Sequence, residues 1–168
     1  HDIIAEKKEI LSKVGYLPSE AIFYHGMKVK DVLKLSADLR GIDCSEEAKK
    51  LCERLQLDMN RKVNELSFGN RKKVAIVTAL QHKPELIILD EPAAGMNPQE
   101  TAELTTLIHD IKDRFHLTIV LIEHDMSLVM SICERIYVLD YGRLIARGNP
   151  EQIKSNKRVI EAYLGEDA

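Results

Sequence analysis

The stretch Glu85-Leu86-Ile87-Ile88-Leu89-Asp90-Glu91-Pro92 constrains this chain more than any other. Four apolar residues in a row stop at two adjacent carboxylates and a proline. Such a run reads as a strand buried on both faces, the pattern of a parallel sheet with helices on either side. Burying the two carboxylates without partners would be costly, so they belong at the strand's carboxyl end, where open α/β sheets take ligands. Successive side chains on a strand point opposite ways, so Asp90 can reach a metal ion while Glu91 faces a water. That pairing suits Mg2+-dependent phosphate chemistry, in which the protein supplies position, charge and a base or water-orienting group. The plainer alternative is a strand that runs into a polar turn.

At 168 residues the chain is long enough for one domain with a core. Its net charge of -3 gives no general attraction to DNA or an anionic membrane. No apolar run approaches the roughly 18 to 20 residues needed to span a bilayer, and the first eight residues, His1 to Lys8, lack the build of a signal peptide. Cys44, Cys52 and Cys133 are too widely spaced for a zinc site and odd in number for a disulfide framework. They read as packing residues or partly exposed thiols of a reducing compartment.

Taken in order, the first ten residues read as the end of an element whose start is not visible. Val14 to Leu17 is a short strand that stops at Pro18, and the loop Ser19 to Met27 carries Phe23 and Tyr24, which read either as a contact surface or, the commoner case for loop aromatics, as locally packed. Lys28 to Gly41 is a helix with Val29, Val32, Leu33, Leu35 and Leu39 inward. Ser45 reads as the cap of a second helix, with Glu46 and Glu47 in its first turn. Residues 28–60 thus form a helical block inserted between strands, the usual form of a lid, an arm or a docking unit. Leu66-Ser67-Phe68-Gly69-Asn70 then leads into a helix over about 71–82. Arg71, Lys72 and Lys73 would crowd its first turn, where the macrodipole disfavours cations. Two readings stand: an anion receptor at the helix N-terminus, or three solvated cations with Ser67 as a simple cap.

Past Pro92, Asn97 caps a further helix with Pro98 first and Glu100 at the capping-box position. Leu104, Leu107, Ile108, Ile111 and Phe115 give it an inner face. Leu117 to Ile122 is a second buried strand ending in Glu123-His124-Asp125, with Asp125 as cap of the helix that follows. His124 is placed at the same sheet edge as Asp90 and Glu91. Ile136 to Leu139 is a third strand, turned by Asp140-Tyr141-Gly142 into a hairpin with Arg143 to Arg147. Asn149-Pro150-Glu151-Gln152 starts a short helix, and Val159 to Leu164 is another before a polar end.

Together these segments resemble the nucleotide-binding domain of ABC transporters over essentially the whole chain. Leu66 to Asn70 resembles the signature motif, Leu86 to Asp90 followed by Glu91 the Walker B strand and catalytic carboxylate, Ala93 to Asn97 the D-loop, and His124 the switch histidine. The resemblance implies an α/β, P-loop NTPase-like fold: a mostly parallel sheet flanked by helices, with an inserted helical subdomain. It implies three parts within a partial domain over 1–168: the Q-loop region and helical subdomain at 18–84, the Walker B, D-loop and switch-histidine core at 85–148, and C-terminal helices at 149–168. It implies ATP and Mg2+ as cofactors and a head-to-tail pair with a second ABC ATPase domain. Asp90 would help hold Mg2+, Glu91 would polarise the attacking water and His124 would contact the γ-phosphate. Ser67, Gly69 and Asn70, with Asn97 of the D-loop, would serve ATP seated on the partner. The helical subdomain would dock a transmembrane permease subunit, with no nucleic-acid partner, placing the chain in the cytoplasm against the inner face of the membrane.

The departures from the family pattern are specific. Phe68 stands where glycine is usual, Asn70 where glutamine is usual, and Asn97 where aspartate is commoner. The Q-loop glutamine is expected near Ser19, with Glu20 as a substitute. No G-x-x-x-x-G-K-[ST] phosphate loop occurs in the 168 residues. The expectation is a partial domain, with that loop upstream, that is inactive alone. The competing expectation is a catalytically silent fragment that docks on other subunits. A soluble ABC-type ATPase acting on DNA or ribosomes would need long coiled-coil arms or a tandem domain. Residues 1–90 resemble exporter subunits, and those from Ala93 onward resemble ATP-binding subunits of branched-chain amino-acid importers. The docking block lies in the exporter-like part, which favours an exporter partner.

Overall fold

The computed structural model describes residues 6–115 and 117–164. They form two compact units, one running to Glu123 and the other beginning at His124. The expected polar end at 165–168 and the first half of the expected element at 1–10 lie outside the described residues. From Lys7 to Ser12 the chain is a helix, α1.

The first unit holds a parallel sheet of β1 (Val14–Leu17), β2 (Leu86–Asp90) and β3 (Thr118–Ile122), with β2 in the centre. The register aligns Leu17, Leu89 and Leu121 and sets Asp90 beside Ile122, so the three carboxyl ends share one rim. Between β1 and β2 come α2 (Val29–Arg40), α3 (Ser45–Arg54) and α4 (Phe68–Leu80), the inserted helical block and the helix after it. α5 (Pro98–Phe115) joins β2 to β3.

α4 is buried nearly all round, as its apolar sequence requires. Val74, Ala75, Ile76, Val77, Ala79 and Leu80 are enclosed, and α2, α3 and β1 pack against the helix. The approach to β1 is close: a Cβ on Gly15 would stand 2.3 Å from the carbonyl oxygen of Ala79. Gly15, Leu17, Ile87 and Leu89 form the buried face of the sheet. The other face departs from the expected double burial. Tyr16, Val120 and Ile122 are exposed and Ile88 is half-buried. Strand geometry sends Leu86 and Ile88 away from Ile87 and Leu89, so the continuous apolar run describes residue types on both faces, whereas burial follows what packs on each.

Smaller corrections follow the same logic. In α2, Val29, Val32, Leu33 and Ala37 are buried, while Leu39 is 82% exposed and Leu35 38%. Leu35 and Leu39 are neighbours at i, i+4 on the outer side. Ser45 is the first residue of α3 rather than its cap, and its N–H donates to Asp43 Oδ1 at 2.9 Å. Tyr24 and Ile22 are exposed, at 75% and 90%, so the 19–27 loop is not locally packed at its tip. Asn97 and Glu100 form the expected reciprocal cap of α5, at 3.1 and 3.0 Å.

The second unit contains α6 (Met126–Ile132), β4 (Ile136–Asp140), β5 (Arg143–Gly148), α7 (Pro150–Lys154) and α8 (Lys157–Leu164). Asp125 caps α6, accepting from the N–H groups of Ser127 and Leu128. β4 and β5 form the expected antiparallel hairpin, turned at Tyr141 and Gly142 with φ of 43° and 76°, the left-handed pair that a tight two-residue turn needs. The expected third strand therefore belongs to a separate two-stranded sheet. Val129, Ile136, Val138, Ile153 and Val159 make this unit's core.

Candidate functional site

The acidic end of β2 is positioned by the sheet itself. Asp90 ends the strand on the exposed face, where Tyr16 donates its hydroxyl to Oδ2 at 3.0 Å. The Asp90 carboxylate pushes the Tyr16 phenol above its ordinary 10.0, through the hydrogen bond first and then through burial and charge. Glu91 leaves the strand with φ of 44°, a left-handed conformation unusual for a residue with a side chain. Its N–H still donates to Ile122 at 2.8 Å, and its carbonyl accepts from Ala94 N–H at 3.1 Å, so the strand passes directly into a tight turn. Glu123, just past β3, accepts from Ala93 N–H at 3.0 Å and fastens that turn to the neighbouring strand.

The signature-like segment is built differently. Ser67 caps α4 through the N–H of Asn70 at 3.2 Å, so the helix begins at Phe68. Arg71, Lys72 and Lys73 therefore occupy the fourth to sixth helical positions, and the expected crowding of cations in the first turn does not occur. Gly69 is buried, and a Cβ there would stand 2.8 Å from Glu100 Oε1. The Phe68 ring lies against Gly95, 3.3 Å from where a Cβ would be. The bulk that sequence would place in the path of an approaching ligand instead packs on the loop after β2. A cavity of about 730 Å3 is lined by Ser67, Gly69, Asn70, Met96, Asn97 and Glu100.

A second cavity, of about 650 Å3, is lined by Ser19, Glu20, Phe68, Arg71, Lys72 and Glu91. Lys72 borders both cavities and is 3% exposed. Its amine donates to the carbonyl oxygens of Ser19 and, at 3.3 Å, Glu91. Burial draws its pKa below the ordinary 10.5, while the charges of Glu123, Glu91, Asp90 and Glu20 oppose that shift. In the sequence Lys72 is the middle of three adjacent cations, Arg71 to Lys73. The separating signal was its spacing on α4, where positions 72, 76 and 79 share the inner side.

The structure thus gathers Ser67, Gly69, Asn70 and Asn97 around one cavity, sets Glu91 on another and leaves Asp90 on the exposed sheet face. His124 is exposed and opens the second unit, two residues along the chain from the end of β3.

A family model described as "ABC transporter" matches residues 1–94. The chain belongs to the ABC transporter family. A second model, "Branched-chain amino acid ATP-binding cassette transporter", matches residues 143–168. The ATP-binding protein LivG of Escherichia coli (strain K12), from high-affinity branched-chain amino acid transport, is 50% identical over 107 residues, covering 64% of this chain and 42% of the relative. LptB of Haemophilus influenzae, the ATP-binding protein of a lipopolysaccharide export system, is 34% identical over 159 residues, covering 91% and 66%. The chain therefore spans less than half the length of the branched-chain relatives it matches. Among solved structures, CbiO1 from Clostridium perfringens, part of the ABC transporter complex cbiONQ, aligns with a TM-score of 0.77 at 26% identity, over 91% of this chain and 63% of that one. A putative metal-chelate type ABC transporter aligns with a TM-score of 0.79 at 20% identity, over 90% and 64%, and supports the α/β fold alone. No described helix is long and apolar enough to cross a membrane.

The residues present fit magnesium and nucleotide. No group of three or more His, Cys, Asp or Glu side chains that could hold a metal occurs among the described residues. A divalent ion at Asp90 would draw most of its ligands from phosphate and water, a coordination that Mg2+ accepts. The α4 N-terminus, with a hydroxyl at its cap and a residue lacking a Cβ in its first turn, fits a phosphate, and the Glu100 carboxylate lies beside Gly69 there.

Proposed function

We propose that the chain is the ATP-hydrolysing part of an ABC transporter subunit that powers transmembrane transport as one half of a head-to-tail pair of ABC ATPase domains. Asp90 would hold Mg2+ and Glu91 would orient the attacking water. His124 would meet the γ-phosphate, and Ser67, Gly69, Asn70 and Asn97 would serve ATP seated on the partner domain. Bound Mg2+ supplies charge neutralisation at the phosphates. The helical block at 28–60, with the Q-loop region, would dock a permease subunit, leaving the domain in the cytoplasm against the inner face of the membrane. The division into 18–84, 85–148 and 149–168 belongs to the same reading.

The observation that carries it is the end of β2. Two adjacent carboxylates stand at the shared rim of a parallel sheet, one held by Tyr16 and the other on a left-handed backbone anchored to β3. Membership of the ABC transporter family supports an ATP chemistry for them. Because the 168 residues contain no G-x-x-x-x-G-K-[ST] loop, the chain alone is expected not to turn over ATP. That same observation favours a second reading, a catalytically silent piece that docks on other subunits. Phosphate release separates them. The chain joined to a relative's phosphate-loop segment should hydrolyse ATP only with Mg2+, and Glu91→Gln should lower the rate by about 100-fold or more, the scale of losing one catalytic group. A joined chain that binds ATP but releases no phosphate supports the silent reading.

A further inference from the structure

Lys72 is the one charged side chain that is fully buried among the described residues. An ammonium group taken out of water persists where acceptors and counter-charges replace the lost hydration. Both are present. The acceptors belong to two different loops at one rim of the sheet: Ser19, two residues beyond β1, and Glu91, the first residue beyond β2. The counter-charges are the carboxylates of Glu123, Glu91, Asp90 and Glu20, and the Phe68 ring lies 5.8 Å from the amine. Glu91 also has a left-handed backbone, with φ of 44°. Such a conformation persists where the surroundings over-determine it. Here its N–H is held by Ile122 and its carbonyl by both Ala94 and Lys72.

We propose that Lys72 is a positioning residue. Its ammonium pins the carbonyl of Ser19 to that of Glu91 and so holds the Glu91 backbone in its left-handed turn. The 19–25 loop, with Ile22 and Tyr24 at its exposed tip, is thereby tied to the placement of the Glu91 carboxylate. The catalytic consequence rests on the reading of Glu91 given above; the clamp does not.

Hydrogen exchange on the 168-residue chain, followed residue by residue by NMR, tests the clamp. Lys72→Met should speed exchange of the Glu91 and Ala94 amides by about tenfold or more while leaving Ile87 and Val77 unchanged. Lys72→Arg should restore most of the protection, because a cation can still reach the two carbonyls. Lys73→Met, which removes the pair with Glu103, should leave both amides as they are. Unchanged protection at Glu91 and Ala94 in a folded Lys72→Met chain would overturn the proposal. If Lys72→Met does not fold, the wild-type amine decides: its protons should exchange with water about tenfold more slowly than those of exposed Lys50, and equal rates would overturn the clamp. Glu91→Gln should leave this slow exchange in place, since Lys72 holds the carbonyl. A failed water-orienting role for Glu91 therefore shows in phosphate release alone, and a failed clamp shows in exchange alone.

Discussion

The end of β2 and the start of α4 lie in the same unit and border adjoining cavities, yet they are made from opposite materials. At β2 the work is done by side chains: Asp90, Glu91 and Glu123 bring negative charge to the rim, and one buried amine stands among them. At α4 it is done by backbone: a serine cap, a buried glycine and the N–H groups of a first turn. The first arrangement suits a cation and a polarised water. The second suits an anion, and an intrachain carboxylate, Glu100, already lies beside it. A nucleotide with its metal carries both signs, so each region supplies what the other lacks. The proposed head-to-tail pair would bring one of each to every ATP.

The largest effect is expected where the far end of α4 packs on the sheet that carries β2. α4 lies on β1 across Gly15, and a methyl there would meet the Ala79 backbone at 2.3 Å. Gly15→Ala should destabilise the chain by about 3 kcal/mol, the upper range for overpacking, or prevent folding. Urea denaturation measures this, and a loss under about 1 kcal/mol would show that helix and strand can separate cheaply. Ser67→Ala should cost about 1 kcal/mol, the usual worth of an N-cap, with the loss of helical signal confined to the start of α4. An unchanged midpoint would mean that the first turn is held by packing alone.

Two pH-dependent effects are smaller. His82, which follows α4, places Nε2 3.1 Å from the Val14 carbonyl, and its Nδ1 has no partner among the described residues. Burial and the charge of Arg40 hold its pKa below 6.5. The unfolded chain then binds the proton more readily, so stability should fall as pH drops through 6.5 toward the folded value. His82→Gln should flatten that slope; a slope unchanged by the substitution would assign it to other groups. At the other region, the Tyr16 phenol should titrate above 10.0 by ultraviolet absorbance, and Asp90→Asn should bring it back toward that value. A phenol that does not respond to Asp90→Asn would remove Tyr16 from the site.

The two regions also differed in how far sequence could describe them. The acidic tip was legible because four apolar residues followed by Asp90 and Glu91 leave few placements other than the end of a sheet strand. Its supports were not. Tyr16 and Glu123 are 74 and 33 residues from Asp90 in the chain, and only strand register brings β1 and β3 alongside β2. At α4 the sequence left Ser67 as a cap in one of two readings; its hydroxyl accepts from Asn70 N–H and starts the helix at Phe68, which moves Arg71 to Lys73 beyond the first three positions and sets Lys72 on the buried side. The order of helices and strands followed from capping residues and periodicity, as at Asn97–Glu100 and the Tyr141–Gly142 turn. Which face of the sheet is covered did not, since β3 exposes Val120 and Ile122 despite its apolar sequence.

The division between the two regions is tested most directly by where a bound metal ion sits. In the chain joined to a relative's phosphate-loop segment, Mn2+ with ATP should broaden the NMR signals of Asp90, Glu91 and Ala93 more strongly than those of Gly69 and Asn70, and Asp90→Asn should abolish that difference. Broadening centred on the start of α4, or unaltered by Asp90→Asn, would contradict the assignment of cation and anion to the two regions.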